Sequence, residues 1–378
     1  MKFIVFGEDW ASHPSSTQHL FSELAKNHEI HWINSIGMRK PRFKRNDLER
    51  VWSKFKQLFS QSNHTAIKTP STMQVYKLPV LPWHDNTLVK RYNSWIFSRY
   101  FKGIQNNEPI IYWLSVPTAQ YLFTKKTHDK LIYYCGDDFN ALAGVDAHLV
   151  APFEKSLINK ADLIYVISQF LMNKMPHYKT KMLSHGVSYD LFTSHTDIAP
   201  EINALNGPIV GFYGSINAWL DMTLLTALAA QRPHYQLVLV GDIVACTSQL
   251  LQFKNVTHVP AVEHQRLVTF SAHWDVSILP FVNNAQIRAC DPLKLKEYLA
   301  VGTPIVATQF PAVMRYESEI YIAKTQAEFI SKVDEVLSLD KTQLNTLKLA
   351  QRHIAQDHSW QSKALAVDHD ISTLNHGL

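Results

Sequence analysis

Lys294 and Glu297 are the two charged residues of this sequence whose types and spacing best suit a chemical role. They are three residues apart in a segment with helical signals, and side chains at that spacing share one helical face. A lysine near a helix start adds a full charge to free N–H groups and a positive dipole, which together bind phosphate. A glutamate one turn later can accept hydrogen bonds from a diol such as a ribose. The pair predicts a nucleotide site, and the alternative is an ordinary solvated ion pair.

The surrounding residues carry the signals that would start and stop this helix. Asp291 is expected to cap its N-terminus, and Pro292 suits the first helical position, where a missing N–H costs nothing. Gly302 supplies a left-handed C-cap, and Pro304 prevents the helix from continuing. The apolar run at residues 305–307 then predicts a buried strand.

This segment resembles the signature of nucleotide-sugar-dependent glycosyltransferases with the GT-B fold, in particular glycosyltransferase family four, which is approximately S-P-x-K-x-x-E-x-x-A-x-G-x-P-V-V. The resemblance implies that Glu297 binds the donor ribose and that Pro292, Leu293 and Lys294 lie near the diphosphate. The sequence departs from the family at Ala289, where many members have a second glutamate. That difference concerns how the sugar hydroxyls are recognised.

Composition excludes several other classes of protein. The chain has 378 residues, too many for one ordinary core, and 46% of them are hydrophobic. Cys135, Cys246 and Cys290 are far apart, which argues against a disulfide framework or zinc knuckle and is compatible with a reducing cytoplasm. The N-terminus becomes acidic at Glu8, too early for a signal peptide, and no apolar run approaches the roughly 20 residues of a membrane span. We therefore expect a cytoplasmic protein with more than one domain.

Short apolar runs alternate with helix-length stretches, which predicts an α/β architecture with parallel sheets. In the first half the predicted strands are residues 2–6, 29–33, 110–114, 131–134, 163–167 and 181–183. In the second half they are residues 209–213, 235–240, 256–259, 276–279, 305–307 and 319–322. A polar stretch at residues 193–208 separates the two series and is interpreted as the interdomain linker.

We therefore predict two doubly wound, Rossmann-like parallel-sheet domains that face a cleft, as in the GT-B fold. Residues 1–200 would form the acceptor-binding domain, and residues 201–356 the nucleotide-sugar-binding domain. The resemblance implies that residues 357–378 form a C-terminal helix that crosses back onto the first domain. An ordinary terminal helix with one buried tryptophan, Trp360, is the alternative.

The loop after the predicted strand 209–213 has residues suited to a ligand. Gly214 lets the backbone approach a ligand closely, while Ser215 and Asn217 offer polar contacts before a helix predicted to begin near Trp219. A simple turn is the alternative. Many family members have a basic residue in this loop, whereas this sequence has none.

Two further predictions concern the donor. With no cation in that loop, Arg288 and Lys294 are the nearest candidates to stabilise the diphosphate, although Arg288 would otherwise be a solvated loop residue. The resemblance implies that Ala261 and Val262 contact the nucleobase, with uridine and guanosine not distinguished. Core packing is the alternative role for both.

The loop after the first strand is expected on the acceptor side. Residues 14–20 resemble the P-S-S-T-x-H-L of a branch of bacterial polysaccharide glycosyltransferases. The resemblance implies that this loop faces the cleft near the transferred sugar, and its candidate residues are Gly7, Glu8, Asp9, His13 and Ser16. Capping of the first helix by Ser16 or Thr17 is the alternative role.

Asp137 and Asp138 follow the predicted strand 131–134, at the strand end where α/β proteins place their sites. Paired carboxylates there could orient an acceptor hydroxyl or accept its proton. One of them could instead cap the next helix. His185 occupies the position of the family's N-G-V segment, where packing at the hinge is the expected role.

Two segments of the first half combine basic and aromatic residues, which is typical of helices that bind anionic membranes. Residues 40–60 carry a helical stripe of apolar side chains among Lys and Arg, and residues 90–102 carry a second cluster. Residues 1–200 hold 24 Lys+Arg against 16 Asp+Glu, whereas residues 201–378 hold 13 against 16. The alternative is a core-packed helix with a solvated outer face. No recognition motif for nucleic acid accompanies this charge.

Together these observations predict a retaining glycosyltransferase of the hexosyltransferase class. It would transfer a sugar from a UDP- or GDP-sugar to a hydroxyl of a lipid-linked or polysaccharide acceptor at the inner face of the membrane. Family resemblance implies that no metal or other cofactor is bound, because helix dipole and basic side chains stabilise the departing diphosphate. The alternatives are a nucleotide-sugar epimerase of the same fold and a catalytically inactive sugar- or nucleotide-binding scaffold.

Overall fold

The computed structural model describes residues 1–11, 15–38, 69–104, 108–142, 145–244 and 249–376. This part of the chain forms two compact units, Met1–Leu183 and Ser184–Leu378. Each unit has its own parallel sheet with helices connecting the strands. Among the described residues, no helix is both long enough and apolar enough to cross a membrane.

The first unit is a doubly wound sheet. Its described strands are β1 (Lys2–Phe6), β2 (Glu29–Ile33), β3 (Met73–Tyr76), β4 (Ile110–Leu114), β5 (Lys130–Cys135), β6 (Leu163–Val166) and β7 (Thr180–Met182). They are ordered β3-β2-β1-β4-β5-β6-β7, and every pair is parallel. Its helices are α1 (Ser16–Leu24), α2 (Thr87–Phe101), α3 (Ala147–Lys160) and α4 (Gln169–Met172), with 3-10 turns at Pro117–Tyr121 and His177–Lys179. Strand order reverses between β1 and β4, which is where such sheets place ligands.

The second unit repeats this plan. Its described strands are β8 (Ile209–Tyr213), β9 (Gln236–Val240), β10 (Val256–Val259), β11 (Val276–Leu279), β12 (Ile305–Thr308) and β13 (Tyr321–Ala323), in the order β10-β9-β8-β11-β12-β13. Its helices are α5 (Tyr189–Thr193), α6 (Pro200–Asn203), α7 (Met222–Gln231), α8 (Leu267–Ser271), α9 (Ala285–Ala289), α10 (Leu293–Val301), α11 (Gln326–Leu337), α12 (Lys341–Asp357) and α13 (Trp360–His376). Short 3-10 turns lie at Leu250–Gln252, His264–Arg266 and Met314–Tyr316. Here the order reverses between β8 and β11, so the loop after β8 lies at the switch point.

The twelve predicted strands are confirmed, with ends shifted by at most two residues. Strands such as β4 and β11 are buried along their whole length, as expected in a parallel sheet covered on both faces, so they read as apolar runs. The sequence interpretation missed β3. This strand buries only Met73 fully. It lies at the edge of the sheet formed by the described strands, and it therefore lacks an apolar run.

Two predicted helix starts are wrong. Asp291 does not cap α10, because its buried carboxylate instead binds the Nζ of Lys296 and the backbone N–H of His185; Pro292 stands at the N-cap position. The helix expected near Trp219 begins at Met222, where Asp221 accepts a hydrogen bond from the N–H of Leu224. In the first unit, the side chain of Ser15 caps α1 rather than Ser16 or Thr17.

The predicted end of α10 is confirmed, since Gly302 has a φ of +80° and its N–H bonds to the carbonyl of Tyr298. The stretch 193–208, interpreted as a linker, includes α6, and Ala199 and Ile202 lie in the core of the second unit. Trp360 is buried and packs so closely on Gly186 that a Cβ there would lie 2.6 Å from its ring. The domain boundary at residue 200 and the crossing of the C-terminal helix stay predictions.

Candidate functional site

Helix α10 positions the predicted site residues of the second unit. Apolar side chains surround most of it, and Leu295, Tyr298 and Leu299 are fully buried. A helix buried on nearly all sides can hold a polar residue only where that residue has partners. Lys294 and Glu297, which lie on its face towards β8, meet this condition in different ways.

Glu297 is a buried carboxylate held by two hydrogen bonds. The hydroxyl of Tyr213 donates to one oxygen at 2.8 Å, and Nε2 of His264 donates to the other at 2.7 Å. Burial alone would raise the pKa of Glu297, but the bond and charge of His264, the Tyr213 hydroxyl and the charge of Lys294 outweigh it. The pKa therefore lies below its usual range. A carboxylate has about four lone-pair positions, so this one can still accept bonds from a diol.

Lys294 is a half-buried cation that forms no salt bridge or hydrogen bond with a carboxylate among the described residues. Its Nζ lies 5.5 Å from the centroid of the Phe212 ring and 5.6 Å from that of Phe281. Burial lowers the pKa of Lys294, and the nearby charge of Glu297 partly opposes this. The ring faces stabilise the ammonium group but leave its N–H donors unused, so an anionic ligand would be a strong additional partner.

The loop after β8 lies directly against Lys294. Gly214 has a φ of +129°, which strains any larger residue, and a Cβ built on it would lie 2.7 Å from Cε of Lys294, so a larger residue would also displace the end of that side chain. Ser215 is half-buried and makes no hydrogen bond within the described part of the chain. Asn217 accepts a bond from the N–H of Ala218 at 2.6 Å. The structure therefore brings together Gly214, Lys294 and, through Tyr213, Glu297.

The loop after β10 reaches the same helix through a residue that the sequence interpretation missed. Ala261 is exposed, and Val262 packs partly against the core. The following turn carries His264 to Glu297, while the edge of its ring packs on Phe192, with centroids 5.5 Å apart. Because His264 and Glu297 are 33 residues apart and belong to different elements, a 3-10 turn and helix α10, no local signal could have found the pair.

Arg288 has a different environment. It is exposed on the short helix α9, and its guanidinium donates to the carbonyl of Asn283 at 3.2 Å. No contact joins it to Lys294 or Glu297 within the described residues, so its role in diphosphate binding stays a prediction. Ala289, in place of the second family glutamate, is buried and only 3% exposed.

A buried ion pair fixes the start of α10. Asp291 and Lys296 are both almost inaccessible, and the ammonium group also lies 5.7 Å from the centroid of the Tyr316 ring. Burial tends to raise the pKa of Asp291, yet the charge of Lys296 keeps it below its usual value. The second carboxylate oxygen accepts the backbone N–H of His185 at 2.9 Å. Burial lowers the pKa of the His185 side chain to about 4, so the ring is neutral near pH 7. His185 therefore joins the segment entering this unit to α10, as its predicted packing role suggested.

In the first unit, Asp137 and Asp138 follow β5 as predicted. Asp138 accepts a hydrogen bond from Nζ of Lys174 at 2.6 Å, whereas Asp137 is exposed to solvent. Dense protein surroundings, and then the charge of Asp138, raise the pKa of Asp137 to about 6. Asp137 is therefore the carboxylate better suited to exchange a proton near neutral pH, and Asp138 is held by its ion pair.

Residues of the first loop mainly support one another. Glu8 accepts hydrogen bonds from the hydroxyl of Ser15 and the amide of Gln18. Asp9 accepts the N–H of Ser35 at 3.1 Å. Gly7 and Ser16 are buried, and a Cβ on Gly7 would lie 2.4 Å from the Trp32 ring. These bonds give the loop a defined shape. That its residues contact the acceptor substrate stays a prediction. His13 lies outside the described residues.

Comparisons with known proteins point in one direction. A family model described as glycosyl transferase-like matches residues 222–367, which include α10, His264 and Arg288. TuaH of Bacillus subtilis, assigned as a teichuronic acid biosynthesis glycosyltransferase, is 26% identical over 280 residues, covering 68% of this chain and 70% of TuaH.

Solved structures resemble the chain over its full length. A sucrose-phosphate synthase of Thermosynechococcus elongatus matches with a TM-score of 0.73 and 16% identity, covering 100% of both chains. A glycosyltransferase of Rickettsia africae matches with a TM-score of 0.69 and 14% identity, covering 100% of this chain and 98% of the other. HepE of Anabaena, solved in complex with UDP, has a TM-score of 0.66 and 13% identity, with coverages of 99% and 100%. At these identities the likeness shows the fold alone, which is GT-B.

Proposed function

We propose that this chain, which is a glycosyltransferase of the GT-B fold, moves a sugar from a nucleotide diphosphate sugar to a hydroxyl of a lipid-linked or polysaccharide acceptor. One observation carries the proposal. Within one turn of α10, an ionised, buried carboxylate with free acceptor capacity lies near a half-buried cation that has no salt-bridge partner among the described residues.

The donor is proposed to bind to the second unit. Glu297 accepts the two hydroxyls of the ribose, and Lys294, with the N-terminal N–H groups of α10 near Leu293, meets the diphosphate. Gly214 and Ser215 face the phosphates, while Ala261 and Val262 contact the base. UDP in the HepE structure supports a uridine donor by analogy, and GDP is the second candidate.

The reaction breaks the bond between the anomeric carbon and the diphosphate oxygen, which leaves with the electron pair. Lys294 and the helix start stabilise that charge without a metal, and Arg288 is a further candidate. The acceptor oxygen forms the new bond and gives up its proton, for which Asp137 is the first candidate because of its raised pKa and Asp138 the second. Resemblance to family four favours retention of configuration at the anomeric carbon.

The acceptor is proposed to be a bacterial polysaccharide or its lipid-linked precursor, at the inner face of the plasma membrane. The assignment of TuaH to teichuronic acid biosynthesis supports this class of acceptor. Contact with the membrane would be peripheral. The predicted membrane segment 40–60 lies entirely outside the described residues, whereas nearly all of the segment 90–102 lies on helix α2.

A turnover experiment tests the proposal. The protein is incubated with UDP- and GDP-sugars, with and without membrane extract, and free nucleoside diphosphate and sugar products are measured. We expect release of nucleoside diphosphate that depends on the extract. Epimerised donor without such release would instead indicate an epimerase, and nucleotide binding without any turnover would indicate an inactive scaffold.

Replacement of Glu297 identifies the site used. Glu297→Ala should weaken donor binding by about tenfold or more, because charged hydrogen bonds to the ribose are lost. The matched control is Glu335→Ala, an exposed glutamate on α11 of the same unit. Equal donor affinity in the two variants, with both folded by circular dichroism, would exclude Glu297 as the ribose ligand.

A further inference from the structure

The outer face of α2 carries large apolar side chains that remain in contact with solvent. Leu88 is 73% exposed and Trp95 is 56% exposed, with Tyr92 exposed between them. Their spacing of three and four residues places them on one side of the helix. The opposite side is packed normally, through Asn93, Ile96, Phe97 and Phe101. Packing against the core therefore accounts for the apolar residues on only one side of this helix.

The same outer face is positively charged. Arg91, Arg99 and Lys102 are exposed and lie at helical spacing from Trp95 and Leu88. None of these three cations forms an ion pair with another described residue, and residues 87–102 contain no Asp or Glu. The guanidinium of Arg99 lies 5.9 Å from the centroid of the Trp95 ring. Lys90, by contrast, points inward and lies 4.9 Å from the ring of Phe153.

We propose that this surface binds an anionic lipid bilayer, and we call it the α2 outer face. It consists of Leu88, Arg91, Tyr92, Trp95, Arg99 and Lys102. Tryptophan and tyrosine favour the boundary between headgroups and acyl chains, where the aromatic body is buried and the polar edge stays hydrated. The surrounding cations match the negative charge of anionic headgroups.

The charge pattern selects a lipid surface over a second copy of the chain. Two such faces packed together would bring six unpaired cations into one interface, at a large electrostatic cost. A bilayer of anionic lipid instead supplies the opposite charge and an apolar layer in the same plane. The inference rests on the proposed function only in that a lipid-linked acceptor would be met at such a surface.

Vesicle co-sedimentation of the full chain tests this inference. Vesicles of equal parts phosphatidylcholine and phosphatidylglycerol should bind the protein, and vesicles of phosphatidylcholine alone should bind it far more weakly. Arg91→Glu combined with Arg99→Glu should reduce binding to the anionic vesicles by more than about 25-fold, since each cation near the surface contributes roughly fivefold. High salt should have a similar effect because it screens the attraction.

The apolar contribution needs a separate variant with a matched control. Leu88→Ser combined with Trp95→Ser should weaken binding by about tenfold or more, since two large side chains no longer enter the bilayer. Leu349→Ser combined with Leu365→Ser changes two equally exposed leucines on α12 and α13 and should bind as the unchanged protein does. Thermal unfolding should be similar for all variants, because only exposed residues are replaced.

The outcomes separate the inference from the proposed function. Donor binding, measured without vesicles, should be the same in all these variants. The membrane inference would be overturned if the α2 variants bound anionic vesicles as tightly as the control, or if Trp95 were instead needed for dimerisation in solution. Neither result would affect the proposed donor site. If Glu297→Ala loses donor binding but still binds vesicles, the result supports both the proposed donor site and the separate membrane surface.

Discussion

At the scale of residues, the carboxylate of Glu297 is held by two hydrogen-bond donors that come from distant parts of the chain. The spacing of Lys294 and Glu297 placed both on one helical face, and the structure confirms that arrangement. No local pattern indicated that Tyr213 and His264 would donate to Glu297, since these partners are 84 and 33 residues away. They meet only because the C-terminal end of β8 and the loop after β10 lie at the same edge of a parallel sheet. Contacts of this kind depend on the order of the strands in the sheet, and the patterns in a single sequence carry little information about that order.

Replacing His264 tests whether it positions Glu297. His264→Ala removes the strongest influence that holds the pKa of Glu297 down, so that pKa should rise. The donor KM should increase by about tenfold, with a smaller change in kcat, because one charged hydrogen bond is worth roughly 1.5–3 kcal/mol. The acidic limb of kcat/KM should move to higher pH, since Glu297 would be protonated at a pH where it is now ionised.

Two further variants separate positioning from simple packing. His264→Gln keeps an N–H donor and should recover part of the donor affinity. His273→Ala loses a different histidine bond, from Nε2 to the carbonyl of Thr196 at 2.7 Å, and should leave the pH profile unchanged. An unchanged pH profile in His264→Ala would contradict the assigned role.

Asp137 supports a prediction about stability. Its pKa in the folded protein is about 6, above the ordinary value for an aspartate, so the folded state favours the protonated form. Ionisation therefore costs stability above about pH 6, and the cost disappears below about pH 4, where both states bind the proton. Asp137→Asn should raise the melting temperature at pH 7 and leave it unchanged at pH 4. An equal change at both pH values would show that the surrounding protein does not raise the pKa of Asp137.

At the scale of elements, strands were predictable and helix starts were less so. Strands buried on both faces appear as apolar runs in the sequence, but β3 does not, because it lies at the sheet edge. Asp291 has the residue type and position of a cap, yet the fold uses it for a buried ion pair with Lys296. The sequence shows no reason to pair these two, since a lysine on a helix is usually solvated.

The two interpretations of Asp291 predict different energies. Loss of a capping residue costs about 1 kcal/mol, whereas removing one partner of a buried ion pair costs roughly 3–5 kcal/mol, because a buried charge is left uncompensated. Asp291→Ala should therefore lower the free energy of unfolding by the larger amount in urea titrations. The double variant Asp291→Ala with Lys296→Met should recover much of the loss. A cost near 1 kcal/mol, without recovery, would favour the capping interpretation.

At the scale of the whole molecule, the fold class followed from the alternation of apolar runs and helix-length stretches, but polarity did not reveal the buried residues of the stretch interpreted as a linker. The polar stretch 193–208 contributes Ala199 and Ile202 to the second core, and contacts place the division between Leu183 and Ser184. The polar composition of this stretch therefore reflects its position at the surface, where a few apolar residues still attach it to the core. The first half of the chain carries the excess of positive charge, and the positive α2 outer face belongs to the first unit.

Because the proposed donor residues all belong to the second unit, nucleotide binding should protect one unit more than the other. Hydrogen–deuterium exchange of the full chain with saturating UDP should slow most around residues 213–217, 261–267 and 293–301, since a ligand stabilises the elements that it contacts. Glu297→Ala at the same nucleotide concentration should lose this protection, while Glu335→Ala should keep it. Protection confined to Met1–Leu183 would contradict the assignment of the donor to the second unit, because no described residue of the first unit takes part in the proposed contacts.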